Sequence, residues 1–315
     1  MPRIVSALLV AGLLVATAAA FAVTERLKLV RSPIIQTHLD RGLFSPVCGC
    51  ETSGVELAFR LRKSDRVTLT VVDAAGALVR TLISDQRVPA GPVTVRWDGR
   101  DDAGEVVPEG TYKPRVHLAD QRRTIELPNP MRVDTTPPRV VTVAVKPRAF
   151  SPDDDGRRDK TAVRYTLSEK GSVRLLVNNT PRVTGRGRRV EGKIEWHGEG
   201  QGGRGLPKGR YDLALVATDK AGNDSAPGGP VSVRIRYIEL SRDLIRARAG
   251  ARFSVRVRTD ASSFAWRLGQ RLNGVAEPGP LVIRAPKRPG RYVLVVEENG
   301  RKARADVRVE RRRVG

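Results

Sequence analysis

Two stretches of this 315-residue chain run in one register. VRWDGRDDAGEVVPEGTYKPRVHLAD (residues 95–120) and IEWHGEGQGGRGLPKGRYDLALVATD (194–219) align without a gap. Trp97 and Tyr112 stand 15 positions apart, and so do Trp196 and Tyr211. Gly99, Gly104, Pro108 and Gly110 fall opposite Gly198, Gly203, Pro207 and Gly209. Upstream, Phe44-Ser45-Pro46 matches Phe150-Ser151-Pro152, 53 residues before the first Trp and 46 before the second, so one loop differs in length. A repeat held in this register constrains the fold more than any other feature. The chain must be a tandem array of one supersecondary unit, each copy about 100 residues long.

Within each copy the apolar period is two. VELAFRL, RVTLTVVD and VTVRWDG in the first copy, and AVRYTLS, SVRLLVN and KIEWHG in the second, alternate apolar with polar residues. That is the pattern of strands buried on one face, and glycine turns between short strands predict an all-β fold of antiparallel sandwiches. Trp and Tyr offer large apolar bodies with a polar handle, suited to the space between two sheets. Asp98, with Asp101 and Asp102, sits in a glycine turn where carboxylates cap backbone amides. LPNPMRVDTTPPRVV (127–141) is stiffened by its prolines and places a boundary near Asp134. The predicted organisation is an N-terminal signal or anchor segment (1–31), a first sandwich (32–134), a divergent repeat of it (135–237) and an Arg-rich third sandwich (238–315). The last segment does not repeat the Trp–Tyr register. Its EENG, between two alternating runs, predicts a tight hairpin.

The pattern V-x-D-x-x-G-x-x-V-R-T-L followed by W-D-G-R-D-x-x-G-x-x-V-P-x-G-T-Y, at residues 71–82 and 97–112, resembles the immunoglobulin-like module of the flagellar hook-capping protein, the FlgD-like module. The second copy keeps Trp196, Gly198, Pro207, Gly209 and Tyr211, but His197 replaces the Asp and the GxxVRTL part is lost. The DTTPP linker and ATDKAGN (217–223) are similar to junctions in arrays of bacterial Ig-like repeats. The resemblance implies tandem Ig-like sandwiches that serve surface scaffolding and interaction rather than catalysis. It does not imply a flagellar role.

Residues 4–24 form an uncharged stretch of 21 residues, long enough for a transmembrane helix. Ala18-x-Ala20 and Ala20-x-Ala22 also fit a signal-peptidase site, so secretion after cleavage is the alternative to a retained anchor. Arg26, Lys28 and Arg31 follow the stretch, and by the positive-inside rule alone they would hold the next residues in the cytoplasm. Module type and the cysteine pair point the other way, to a single-pass membrane protein whose bulk is extracytoplasmic. The formal charge is +23, with 57 basic residues against 34 acidic. Residues 241–315 hold 19 basic and 7 acidic residues, so +12 of that charge sits in the last quarter. SVRVRT and ARADVRVERRR place Arg on the solvent face of strands. A GC-rich coding bias explains such a surplus without function. A functional surplus calls for an anionic partner, such as wall polymers. RNA-binding signatures, zinc-finger spacing and base-reading helices are lacking, so nucleic acid is not an expected partner.

No constellation of reactive groups points to an enzyme. His38, His117 and His197 are isolated, and GEGQGGRG (198–205) aligns with a hairpin turn of the first copy rather than a phosphate loop. SPDDDGRRD (151–159) is the best ion candidate: Asp153, Asp155 and Asp159 offer carboxylates around Gly156, a set that calcium could take. Arg157 and Arg158 could instead neutralise these acids in a solvated turn. Cys48 and Cys50, the only two cysteines, allow a strained Cys-x-Cys disulfide, free thiols or intermolecular pairing, while a metal site lacks further ligands. The expected function is a non-catalytic, membrane-anchored or secreted scaffold or adhesion protein that contacts envelope proteins or anionic wall polymers. The alternative is an accessory subunit of an envelope enzyme or of a polysaccharide export system.

Overall fold

The computed structural model of the chain describes residues 11–21 and 32–311. Residues 11–21 are helical, and Gln201–Gly203 make a short 3-10 turn. Residues 4–10 and 22–24 of the apolar stretch, and the charged residues that follow it up to Arg31, lie outside the described residues. No helix among the described residues is long and apolar enough to cross a membrane. The chain divides into two compact units, Met1–Thr135 and Thr136–Gly315, and the division falls inside the DTTPP linker.

The first unit carries β1 (Ile34–Leu39), β2 (Leu43–Phe44), β3 (Val55–Leu61), β4 (Asp65–Val72), β5 (Leu78–Val88), β6 (Gly91–Trp97), β7 (Gly110–Leu118), β8 (Arg123–Glu126) and β9 (Met131–Val133). They form two sheets, β1-β3-β6 and β2-β9-β7-β4-β5, with β8 paired to β7. The alternation read from VELAFRL is realised in β3: Val55, Leu57, Phe59 and Leu61 are buried while Glu56 and Arg60 are exposed. The core lies between the sheets. One end is built on Leu57, Phe59, Leu69 and Val116, the other on Phe44, Trp97 and Tyr112.

The second unit holds two sandwiches, each with its own core. The first of them contains β10 (Val140–Lys146), β11 (Ala149–Phe150), β12 (Thr161–Val177), β13 (Thr180–Thr184), β14 (Arg189–Trp196), β15 (Gly209–Thr218) and β16 (Gly228–Ile235). The long β12 serves both sheets. Its first half pairs with β10 and β14, and its second half pairs with β13 and β15, with the register broken between Thr166 and Gly171. It follows the path of β3 and β4 without the intervening turn. The last sandwich contains β17 (Glu239–Leu240), β18 (Leu244–Arg248), β19 (Arg252–Arg258), β20 (Phe264–Leu268), β21 (Leu272–Ala276), β22 (Gly279–Arg284), β23 (Gly290–Glu298) and β24 (Arg301–Glu310). Its sheets are β17-β19-β22 and β18-β24-β23-β20-β21.

All three sandwiches share one topology. A three-stranded sheet faces a larger one, and in the larger sheet an early strand runs parallel to the last: β2 to β9, β11 to β16 and β18 to β24. The third sandwich therefore repeats the plan although its sequence drops the Trp–Tyr register. In β19, Phe253, Val255 and Val257 are buried between exposed Arg252, Arg256 and Arg258, as the period of two predicted.

Candidate functional site

Each of the first two sandwiches carries the same aromatic stack. Phe44 meets Trp97 edge-on with ring centroids 5.5 Å apart, and Trp97 meets Tyr112 at 5.2 Å. Phe150–Trp196 and Trp196–Tyr211 repeat this at 5.4 and 5.9 Å. Edge-to-face contacts of this kind favour a ring's positive edge on its neighbour's negative face. The polar handles are used locally. Trp97 Nε1 donates to Arg100 O at 2.9 Å and Trp196 Nε1 to Glu199 O at 3.1 Å. Tyr112 Oη donates to Pro108 O at 2.7 Å and Tyr211 Oη to Pro207 O at 2.8 Å, a tyrosine corner in both copies. Gly99 and Gly198 sit at φ of 76° and 75°, and a Cβ there would lie 2.9 Å from Phe44 or 2.6 Å from Pro152. Positive φ and close approach both demand glycine.

The aspartates of the first hairpin loop cap its amides or, in the case of Asp102, tie the loop to β5. Asp98 accepts from Arg100 N, Asp101 from Ala103 N and Glu105 N, and Asp102 from Thr81 N. Gly104 turns at φ 82° and its partner Gly203 at 73°. Gly110 and Gly209 open β7 and β15. The conspicuous motif residues are thus spent on the fold. The tyrosine corner also exists in the third sandwich: Tyr292 Oη donates to Arg288 O at 2.8 Å. The sequence signal was the Gly-x-Tyr of residues 290–292, matching 110–112 and 209–211.

Two loops lead into the first two sandwiches and share a frame. Ser45 N donates to Thr52 O at 3.2 Å, and Ser151 N to Arg158 O at 3.0 Å, so each loop closes over the same number of residues. Both serines are buried. In the thiol loop, Cys48 and Cys50 are joined in a disulfide, and Cys50 Sγ lies 2.9 Å from Thr52 Oγ1. In the acidic loop, Ser151 Oγ donates to Asp153 Oδ2 at 2.7 Å, Arg157 N to Asp155 Oδ1 at 2.7 Å and Gly156 N to Asp159 Oδ2 at 2.8 Å.

Asp153 and Asp155 are brought together with Glu298 of the third sandwich; one ligand atom from each lies within 4.8 Å of the others. Asp159 is not in this group, being turned to the Gly156 amide. Asp153 Oδ1 and Glu298 Oε2 are buried without a hydrogen-bond partner. Burial, reinforced by the negative charges of Asp153 and Asp155, pushes the Glu298 carboxyl up to about 7. Burial likewise raises Asp153, against the Ser151 hydrogen bond, and raises Asp260, which also feels Asp153 and Asp155. Among the described residues this is the group of carboxylates, thiols or imidazoles close enough to hold a metal, and it contains no histidine. Sequence reasoning could not have found Glu298, which lies in a hairpin more than a hundred residues away.

The family profile described as the FlgD Ig-like domain matches residues 49–121. The basal-body rod modification protein FlgD of Salmonella typhimurium is 45% identical over 60 residues, which is 19% of this chain and 24% of that protein. The same protein of Salmonella typhi matches equally. The chain thus spans about a quarter of the length of these curated relatives. Among solved structures, FlgD from P. aeruginosa overlaps 44% of this chain and 78% of its own at 21% identity, with a TM-score of 0.22. The I67–I69 fragment of titin overlaps 90% of this chain and all of its own at 11% identity, with a TM-score of 0.34.

Proposed function

We propose, from the premise that the first sandwich is a FlgD-type Ig-like module, that this chain is a non-catalytic scaffold presenting tandem modules for interaction at the cell envelope. The observation that carries the reading is how the motif residues are used. Trp97, Tyr112, Trp196, Tyr211 and the loop aspartates bind their own backbone, which leaves the sheet faces and loops as contact surfaces. The apolar stretch 4–24 supports attachment to a membrane, with the sandwiches held outside the cytoplasm; secretion after cleavage is the second form of this reading.

The third sandwich supplies the surface chemistry. Arg252, Arg256 and Arg258 on β19, and Arg304 and Arg308 on β24, are exposed while their neighbours fill the core. Arg252, Arg256 and Arg258 line the outer face of the three-stranded sheet and Arg304 and Arg308 that of the larger sheet, and guanidinium groups on either face suit an anionic wall polymer through Coulomb attraction and paired hydrogen bonds. The test is a pull-down from intact envelopes at low and high salt, with the full chain and with a variant carrying serine at these five arginines. Capture of anionic polymer that falls steeply with salt and with the variant supports this reading. Salt-insensitive capture of one protein favours an accessory subunit of an envelope enzyme or of a polysaccharide export system.

A further inference from the structure

The β23–β24 hairpin turns through Asn299 and Gly300, at φ of 42° and 75°, which is the two-residue turn that Asn-Gly favours. Its tip reaches the second sandwich at three points. Glu298 meets Asp153 and Asp155, Asn299 Nδ2 donates to the main-chain carbonyl of Asp153, and Arg301 lies 4.1 Å above the Tyr237 ring. We propose that Asp153, Asp155 and Glu298 form a calcium site that ties the third sandwich to the acidic loop of the second.

Three observations carry this. First, the spacing fits: calcium binds oxygen at about 2.3–2.6 Å, so roughly 5 Å spans its coordination sphere, and the three ligand atoms lie within 4.8 Å of one another. Second, the carboxylates lack compensation. Asp153 and Glu298 are each only 9% exposed, Asp153 Oδ1 and Glu298 Oε2 are buried with no amide, hydroxyl or basic group to donate to them, and the hydrogen bond the two carboxyls can share requires one of them to keep its proton. No ion pair among the described residues involves Asp153, Asp155 or Glu298, and Arg157 and Arg158 do not neutralise them. Burying a carboxylate oxygen without a partner is costly, and a cation removes that cost. Third, the donors are all hard oxygens drawn from a loop and a hairpin. Calcium accepts such irregular sets, whereas magnesium demands near-octahedral geometry and zinc prefers nitrogen and sulfur. An open surface depression lined by Asp155, Glu298 and Asn299 leaves room for water ligands.

The assignment needs only the purified chain and does not depend on its place in the envelope. Chelator-treated full-length protein is titrated with calcium chloride by calorimetry and melted with calcium or with EDTA. At a hundredfold excess over Kd, calcium should raise the second unit's Tm by about 5 °C or more. Glu298→Gln and Asp155→Asn should each weaken binding at least about tenfold, since charge count sets calcium affinity. Asp159→Asn should leave it within about twofold, because Asp159 serves the Gly156 amide. Melting of Glu298→Gln in EDTA at or above the wild-type temperature shows that the variant folds. The proposal is overturned by a wild-type chain with no calcium heat and no Tm shift. It is equally overturned by unchanged affinity in Glu298→Gln, by a loss in Asp159→Asn as large as in Glu298→Gln, or by an equal shift with magnesium.

Discussion

The thiol loop and the acidic loop solve one problem with two chemistries. Each follows a buried Phe that packs on a Trp, and each closes through a main-chain bond from the serine after that Phe. In the thiol loop, Cys48 and Cys50 fasten the chain to itself, and the fastening is finished within the loop. In the acidic loop, Ser151 and the Gly156 amide satisfy part of the carboxylate set, but Asp153 Oδ1 and Asp159 Oδ1 stay without partners. The first loop is chemically closed. The second is open toward the neighbouring sandwich, where Glu298 waits with an unpartnered oxygen of its own. The frame is therefore separable from the clamp, and copies of one module can keep the frame while the clamp takes a new task.

The strongest way to break this comparison is to attack the shared frame. If the two loops rest on equivalent stacks, Trp97→Ala and Trp196→Ala should each cost about 3–5 kcal/mol, the range for emptying a buried aromatic site. Trp97 is 1% exposed and Trp196 fully buried, so neither site can relax into solvent. Calorimetric melting of the full chain should show the first substitution lowering the transition of Met1–Thr135 and the second that of Thr136–Gly315. Costs that differ by more than about 2 kcal/mol would show that the stacks are not equivalent.

The next effect in size comes from the open clamp. The Glu298 carboxyl is raised from 4.5 to about 7 by burial and by Asp153, Asp155 and Asp260, the last facing Arg236 as well. A raised acid holds more protons folded than unfolded between those values, so stability falls as pH rises through about 4.5 to 7. The penalty is absent below that window and complete above it, on the order of 3 kcal/mol. Asp153 and Asp260 are raised too and add in the same direction at the acid side. Melts in EDTA between pH 5 and 8 should show the second unit losing stability upward, and Glu298→Gln should flatten the profile. A profile that rises with pH, or a variant that keeps the fall, would contradict the uncompensated cluster.

These residues also mark how much of the fold and the site is legible in the sequence. The Trp–Tyr register of the first two sandwiches was legible because both hairpin loops have equal length. The period of two gave the strands and the Arg face of β19, and EENG gave the turn at Asn299. The third sandwich hid its kinship for a physical reason. Its hairpin loop shrinks to the few residues between β22 and β23, so the carbonyl that receives a Trp Nε1 in the other copies has no counterpart, and the Trp went with it. Asp153 and Asp155 could be picked out because a ligand loop is local. Glu298 could not, because only the packing of one sandwich on the next brings it there. Asp159, which the spacing selected, caps an amide instead.

A smaller effect tests whether the closed clamp is truly local. Replacing Cys48 and Cys50 with serine opens a ring of three residues, for which chain entropy predicts about 1–2 kcal/mol. The loss should be confined to the transition of Met1–Thr135, and reductant should reproduce it on the wild type. A shift of the second unit's transition on reduction would mean that the thiol loop acts beyond its own sandwich.

The smallest effect bears on the third copy. Tyr292 repeats the corner bond of Tyr112 and Tyr211, to the carbonyl four residues back. Deleting one hydroxyl removes a single hydrogen bond, about 0.5–1.5 kcal/mol. Tyr112→Phe should sit at the upper end, because Tyr112 is 5% exposed and buried against Trp97. Tyr292→Phe should sit at the lower end, because water can replace the lost partner at an exposed bond. Equilibrium unfolding of the two variants measures both. If Tyr292→Phe costs nothing, the corner in the third sandwich is a geometric remnant, and the frame there is held by strand pairing and the core around Phe253 and Phe264. If it costs as much as Tyr112→Phe, the hydroxyl bond is the part of the motif that stabilises the sandwich by itself, and the Trp serves the longer hairpin loop rather than the fold.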